Sequence, residues 1–383
     1  MTTLKGMTWN HTRGFLSVVA TAQRYQEIHP EVEIIWEKRS LKHFGEFPVH
    51  RLMDDYDLMV IDHPYVGYAA KHSVFYPISD YLDRAYLEDQ SKHTVGASYR
   101  SYEWNDKLWA LPIDAATPVG AWRPDLLSAK GGSLPQSWEE LLEWCDQGIV
   151  DVVMEDINAL MNWYGFIQVW GETPFNSTSL ICSEEVAIRA LSSMKELVKR
   201  GDPEGRRHNP IESLNLLSSH ANKKKIYSLF PYGYSNYSKR GYADHLLEFG
   251  ELPTFLGKPF KTTIGGTGIA ISAKTKHLKE AVDYSRYTAS SEIQRTLFTD
   301  AGGQPAHRQA WTDQENNRLS LDYFNRTLPI LDRAFLRPRY AGYDQFQEHA
   351  GPVINQFLYG SANEKETIQE LESLYQSSQK EAL

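Results

Sequence analysis

Two short segments gather most of the side chains that could do chemistry: Trp9-Asn10-His11-Thr12-Arg13 and Asp62-His63-Pro64-Tyr65. Asp114 and Arg123 add a carboxylate and a second guanidinium further along. His11, Asp62, His63 and Asp114 are residue types that give and take protons, so they read as a general acid–base set if the fold brings them to one cleft. Arg13 presents a planar fork of donors suited to a carboxylate. A cation in the first turn of a helix also opposes the helix dipole, and therefore calls for a nearby counter-charge. Arg13, His11, His63 and Arg123 together suggest a cationic cleft with a small carboxylate as its guest. Plainer roles stand beside these. A lone histidine is more often a satisfied core or surface group, and Asp62 can simply cap the turn that follows it.

The familiar reaction motifs are missing. The sequence contains no G-x-S-x-G nucleophile elbow and no G-x-x-x-x-G-K-[ST] phosphate loop. The cluster Gly265, Gly266 and Gly268 precedes an apolar strand rather than following one, so it is not a dinucleotide fingerprint. A metal held by His11, Asp62 and His63 lacks the H-E-x-x-H or C-x-x-C spacing of common sites. Neither a metal nor a cofactor is expected.

Both chemical segments owe their places to the elements around them. Leu4–Trp9 reads as a strand, and Phe15, Val18, Val19 and Ala22 form the stripe of a helix running to Pro30. Val32, Ile34 and Trp36 alternate as a second strand. Leu41 to Asp54 is an ambiguous, partly helical connection. Tyr56–Ile61 is a continuous apolar run, as expected of a strand buried on both faces of a parallel sheet. A β-α-β-α-β order makes a doubly wound lobe, in which ligands bind at the carboxyl ends of strands where strand order reverses. The two segments leave such ends.

Further on, Leu108–Pro112 is a strand leading to Asp114, and Ser137 with Glu140 forms a capping box. Ser183 opens a helix with the stripe Val186, Ala187, Ala190, Leu191, Met194, Leu197 and Val198. Ile269–Ile271 is a buried strand, and Leu278 to Ala289 is a helix. Ser291 with Gln294 reads as a second capping box, with Gly302 and Gly303 ending that helix. After Arg308 the chain reads as helices, including Asn363–Tyr375.

A chain of 383 residues with 41% hydrophobic content exceeds one compact core, so two lobes are expected. A formal charge of −9 argues against a nucleic-acid partner. No window approaches a membrane span. Cys145 and Cys182 are too few for a disulfide framework. The opening residues MTTLKGMTW carry no leader signature, so the chain as written reads as cytoplasmic, or as extracytoplasmic if a leader has been removed.

The stretch Thr263–His307, with its glycine turn, strand, helix, second helix and GGxPA ending, resembles the extracellular solute-binding proteins of ABC importers, the sugar- and oligosaccharide-binding group. Tyr102–Leu127, Leu134–Leu142 and Leu229–Tyr234 are similar to the same family, in its order. The resemblance implies an α/β, two-lobed periplasmic-binding-protein-like (type II) fold, each lobe a sheet flanked by helices, with the ligand cleft between them. It places the first lobe at residues 1–113 and 262–310 and the second at 114–261 and 311–383. Trp9, Trp122, Tyr232 and Tyr234 fall where the family has cleft aromatics, whose flat faces suit sugar rings. Asp114 falls at the hinge, and Gly266 joins the ligand-facing set. Where the family often has an aromatic pair and Asn, this chain has Ala121-Trp122-Arg123, which weakens the usual sugar contact there. The implied function is capture of a small polar ligand, a carbohydrate or sugar acid, by a monomer that serves an ABC permease. The alternatives are a cytoplasmic enzyme acting on a small anionic metabolite through His11, Asp62, His63 and Asp114, and, with less support, a cytoplasmic ligand sensor.

Overall fold

The computed structural model describes residues 1–40, 54–177 and 179–382. The connection at 41–53 lies outside the described residues. Two sheets organise the chain. The first contains β1 (Thr2–Trp9), β2 (Val32–Arg39) and β3 (Leu58–Ile61). A small hairpin follows, β4 (Glu103–Trp104) with β5 (Lys107–Leu108), and then β6 (Leu111–Ala116). The second sheet contains β7 (Pro118–Trp122), β8 (Val150–Val152), β9 (Tyr227–Tyr232) and β10 (Glu248–Gly250). Finally β11 (Gly265–Ile271) returns to the first sheet. Strand order is β2-β1-β3-β11-β6 in one and β10-β7-β9-β8 in the other. The fold is the expected two-lobed α/β arrangement.

β1 pairs in parallel with both β2 and β3, whereas β11 runs antiparallel to β3 and β6. Strand order therefore reverses at β1, and the loops leaving β1 and β3 diverge from a switch point. All four residues of β3 are buried, as the unbroken apolar run requires. The helix Thr12–Ile28 buries Ser17, Val18, Thr21, Ala22 and Tyr25 against this sheet. The second lobe packs the helices Trp138–Asp146, Asp156–Val169, Glu184–Arg200 and Tyr343–Tyr359 into one core with β8 and β9. A third apolar cluster, including Ala115, Val119, Tyr234, Ile264 and Tyr323, spans the junction.

A single residue, Thr117, separates β6 of the first sheet from β7 of the second. Its hydroxyl is 2.6 Å from that of Thr262 and donates to the Thr263 carbonyl at 3.1 Å. Phe335 pairs with the same segment: its N–H donates to the Thr262 carbonyl at 2.7 Å, and its carbonyl accepts from Ile264 N at 2.8 Å. Three passages of the chain thus lie side by side where the lobes meet. Gly266 is required here, because its φ is +116° and a Cβ would sit 2.2 Å from the Asp114 carbonyl oxygen.

Two local expectations fare differently. Ser137 and Glu140 do form a capping box around the start of Trp138–Asp146. Ser291 and Gln294 do not. Ser290 is the cap residue, Ser291 bonds instead to Gln309, and Gln294 is fully buried, donating to the Thr288 carbonyl at 3.1 Å and accepting from Ala306 N at 2.9 Å. The expected single helix is also broken at Thr296 into Ser291–Arg295 and Leu297–Asp300. Burial of an amide that can satisfy two backbone groups outweighs a cap on a solvent-facing turn. Among the described residues, no helix is long and apolar enough to cross a membrane.

Loss of a helix cap costs about 1 kcal/mol, so Ser137→Ala should lower stability by about that much in urea unfolding. Ser291→Ala, a substitution outside any cap, should stay within about 0.5 kcal/mol of the parent. Equal effects would show that the two turns are capped alike.

Candidate functional site

The loop leaving β1 is fixed by His11, which caps the Thr12–Ile28 helix: its Nδ1 accepts from the Arg13 N–H at 3.0 Å. With Nδ1 accepting, the ring proton belongs on Nε2, which lies 2.9 Å from the Tyr242 hydroxyl. The ring also meets Tyr234 edge-on, at 4.7 Å between centroids. Burial, and then the neighbouring Arg13 charge, push the His11 pKa down to about 4.

Arg13 is 4% exposed and fully engaged. Its Nε and Nη2 donate to the two oxygens of Asp114 at 2.6 and 2.5 Å, and its Nη1 donates to the Gly233 carbonyl at 3.0 Å. The guanidinium stacks on Tyr234 at 4.5 Å from the ring centroid. Burial opposes both charges. For the guanidinium the contact with Asp114 wins and its pKa is raised, whereas burial raises the Asp114 pKa against the pull of Arg13; the short two-donor geometry is that of an ion pair. Asp114 belongs to β6 of the first lobe, and Gly233 follows β9 of the second. Arg13 therefore spans the seam between the lobes.

The loop leaving β3 has its own cross-seam pair. Arg337 Nη2 donates to both oxygens of Asp62 at 2.8 Å, while its Nη1 donates to Gln347, on the Tyr343–Tyr359 helix, at 2.6 Å. Asp62 also caps its own turn by accepting from His63 N at 2.8 Å, and His63 Nδ1 lies 3.1 Å from the same carboxylate. Burial works against the Asp62 charge, yet Arg337 and His63 hold its pKa well below the usual carboxylate range. Burial and Arg337 push His63 down to about 4.

Between the two ion pairs lie the Gly265–Gly266 backbone, Tyr102 and Tyr232. The Tyr102 hydroxyl faces the carbonyls of Ile61 and Gly266 at 3.2 and 3.3 Å. A Cβ on Gly265 would sit 2.6 Å from the Tyr232 ring, so these two close the seam from opposite lobes. Gln304 clamps the loop after β9, donating to the carbonyls of Ala115 and Gly233 at 2.8 and 3.1 Å and accepting from Ser235 N at 2.9 Å.

His11, Arg13, Asp62, His63, Asp114, Tyr232, Tyr234 and Gly266 thus meet along one seam. Three candidates need correction. Trp9 belongs to the core of the first lobe, its ring pressed against the backbone of Gly14. Trp122 sits at the end of β7 remote from the junction, paired with Tyr227 and Glu248, and borders a separate surface depression of about 580 Å³ with Leu127 and Arg326. Arg123 is spent on Asp125 and the Leu217 carbonyl. The acid–base set does converge, but each carboxylate is bound to an arginine and both imidazoles are held neutral. Arg337, Gln304, Tyr102 and Tyr242 were not among the candidates. Gln304 carried a sequence signal as the variable residue of the GGxPA ending, and Tyr102 as the first residue of the family-like stretch Tyr102–Leu127.

Residues 53–315 match the family model of the bacterial extracellular solute-binding protein. The chain is 23% identical over 270 residues to the multiple sugar-binding protein of Streptococcus mutans, a match covering 62% of this chain and 59% of that one. Its fold is similar to that of the maltose-bound MalE3 of T. maritima, with a TM-score of 0.85 at 14% identity over 98% of this chain and 100% of that one. It is also similar to the maltotriose-binding protein of Thermus thermophilus, with a TM-score of 0.78 at 18% identity over 99% and 100% of the two chains. A ribitol-bound ABC transporter solute-binding protein of Agrobacterium radiobacter gives 0.79 at 18% identity over 98% of each. With two lobes, a seam at the switch point and a family model that covers more than half its length, this chain belongs to the bacterial extracellular solute-binding proteins.

Proposed function

We propose that the protein captures a neutral carbohydrate or polyol in the seam between its lobes, outside the cytoplasmic membrane, and delivers it to an ABC permease. The observation that carries this reading is the pairing of charge at the seam. Arg13 and Arg337 are each neutralised by a carboxylate, so the cation on which a sugar-acid ligand depends is already taken. Apart from Arg337 Nε, which belongs to a guanidinium already facing Asp62, what the seam leaves over is uncharged. His63 Nε2 and the Thr267 hydroxyl on one lobe, and the Ser235 hydroxyl and Asn236 Oδ1 on the other, are buried with no hydrogen-bond partner among the described residues. Buried polar atoms of that kind want partners, and a guest rich in hydroxyls supplies them in both senses, donor and acceptor. Tyr232 adds an aromatic face, while that of Tyr234 is taken by Arg13. The sugars and polyol named with the similar structures are of the same chemistry.

Closure follows from the division of these groups between lobes, with the passages at Thr117, Thr262–Thr263 and Phe335 as the hinge. We place the lobe boundaries at 1–116 with 263–310 and at 118–261 with 311–383, so that β6 and its Asp114 stay whole in the first lobe. We propose a monomer as the working form.

The ligand class is tested by titration calorimetry and thermal shift with maltose, maltotriose and ribitol beside gluconate and galacturonate. A neutral compound should bind saturably and raise the melting temperature, and Tyr232→Ala should weaken it about tenfold or more. Saturable binding of the acids alone would overturn the reading.

The ion pair has its own test. Asp114→Asn leaves the Arg13 charge buried without its partner and should cost about 3–5 kcal/mol in chemical unfolding, whereas the double change Arg13→Met with Asp114→Leu should recover much of that loss. The pH dependence follows from the histidines. Their folded pKa of about 4 lies below the ordinary 6.5, so the unfolded chain binds more protons between those values. Stability from His11 and His63 is complete above about 6.5 and is lost as pH falls towards 4. Thermal unfolding over that range should show the decline, with a shallower slope for His11→Gln.

A further inference from the structure

Away from the seam, the helix Arg84–Lys92 ends with Asp89 and His93 one turn apart, and His307 approaches them from a segment more than two hundred residues later. The two segments are registered by backbone contacts: Arg308 N donates to the His93 carbonyl at 2.6 Å, and Thr94 bridges to His307. His93 Nδ1 is 2.7 Å from Asp89 Oδ1. His307 is 3% exposed, and its Nε2 has no hydrogen-bond partner among the described residues. The acceptor it faces, Asp89 Oδ2, stands 3.6 Å away, beyond hydrogen-bond reach. One ligand atom from each of the three residues lies within 4.8 Å of the others.

From this geometry we infer that Asp89, His93 and His307 form a binding site for a divalent transition ion of the zinc class, stapling the end of the Arg84–Lys92 helix to the segment that carries Gln304. Two imidazoles and one carboxylate suit a borderline ion, and three protein ligands leave one position for water. His307 is fixed by burial, and the neutral ring is the form that ligates. Asp89 and His93 are 45% and 39% exposed in their side chains, so they can close from 4.8 Å to the shorter separations of a tetrahedral site, and an ion can enter from their side. Loading moves the His307 ring proton from Nε2 to Nδ1. That gives up the 3.4 Å hydrogen bond Nδ1 accepts from Gln309 N, a long bond whose loss tempers the affinity. Arg308, the nearby cation, is turned away and paired with Asp332.

The test uses the full, tag-free chain stripped with a chelator and titrated with zinc chloride. One ion per chain should bind, in the range of about micromolar, and the melting temperature should rise by a few degrees at saturation. Cobalt(II) in its place should show visible absorption of a tetrahedral or five-coordinate centre. His93→Gln and Asp89→Asn change exposed side chains and keep the fold, and each should weaken zinc about tenfold or more. His307→Gln should abolish binding. No saturable zinc binding, zinc binding unchanged in both exposed variants, or equal binding of magnesium would each overturn the assignment.

Discussion

The buried contact between Arg13 and Asp114 sets the terms for the seam. Both charges have left water, which is worth paying only where geometry is nearly ideal and the remaining donors are satisfied. Here two parallel N–H···O bonds meet that demand, the third donor group finds the Gly233 carbonyl, and Tyr234 covers the face of the fork. A cation in the first helical turn is otherwise unfavourable. Asp114 removes the conflict from the strand beside it, and in doing so it ties the helix start, β6 and the loop of the opposite lobe into one unit.

The second pair, Asp62 with Arg337, sits at the end of β3, where a single nitrogen, Nη2, faces both carboxylate oxygens. Arg337 comes from the chain that has just passed the junction at Phe335, and its other arm holds Gln347 on a helix of the second lobe. The seam is therefore fastened at two strand ends, while the three passages at Thr117, Thr262–Thr263 and Phe335 lie at its back. The apolar cluster and the paired passages behind, with the paired charges in front, hold the two lobes in one register.

Much of this could be read from residues alone. The apolar runs and stripes of β1, the Thr12–Ile28 helix and β3 are local signals, and they place His11, Arg13, Asp62 and His63 at a switch point without any partner in view. Ser137 with Glu140 is equally local. Failures came where a distant residue decides the outcome. Arg123 and Arg13 look alike in sequence, yet one meets Asp125 two residues on, and the other meets Asp114 a hundred residues away. Trp122 shares its strand with the hinge, but at the wrong end. Gln294 appeared to be a capping residue because burial of its amide between Thr288 and Ala306 leaves no local trace. Arg337 sits in a stretch with no motif, and only the folded chain shows which carboxylate it answers.

Charge at this seam is paired within the protein, and that pairing bears on what a guest must be. A free cation would reward an anionic ligand. Two cations already paired, Arg13 through two donors and Arg337 through one, reward it little, because the guest would have to displace a partner that is covalently part of the same chain and already in position. Besides Arg337 Nε, the unpartnered groups are a ring nitrogen, hydroxyls and an amide oxygen, which differ in whether they give or accept a proton. A ligand offering only acceptors, or only apolar surface, would leave some of them buried and unmet. Hydroxyl groups answer each in turn, since a hydroxyl is donor and acceptor at once, and the half-buried ring of Tyr232 offers the apolar contact that a carbohydrate's C–H surface can use.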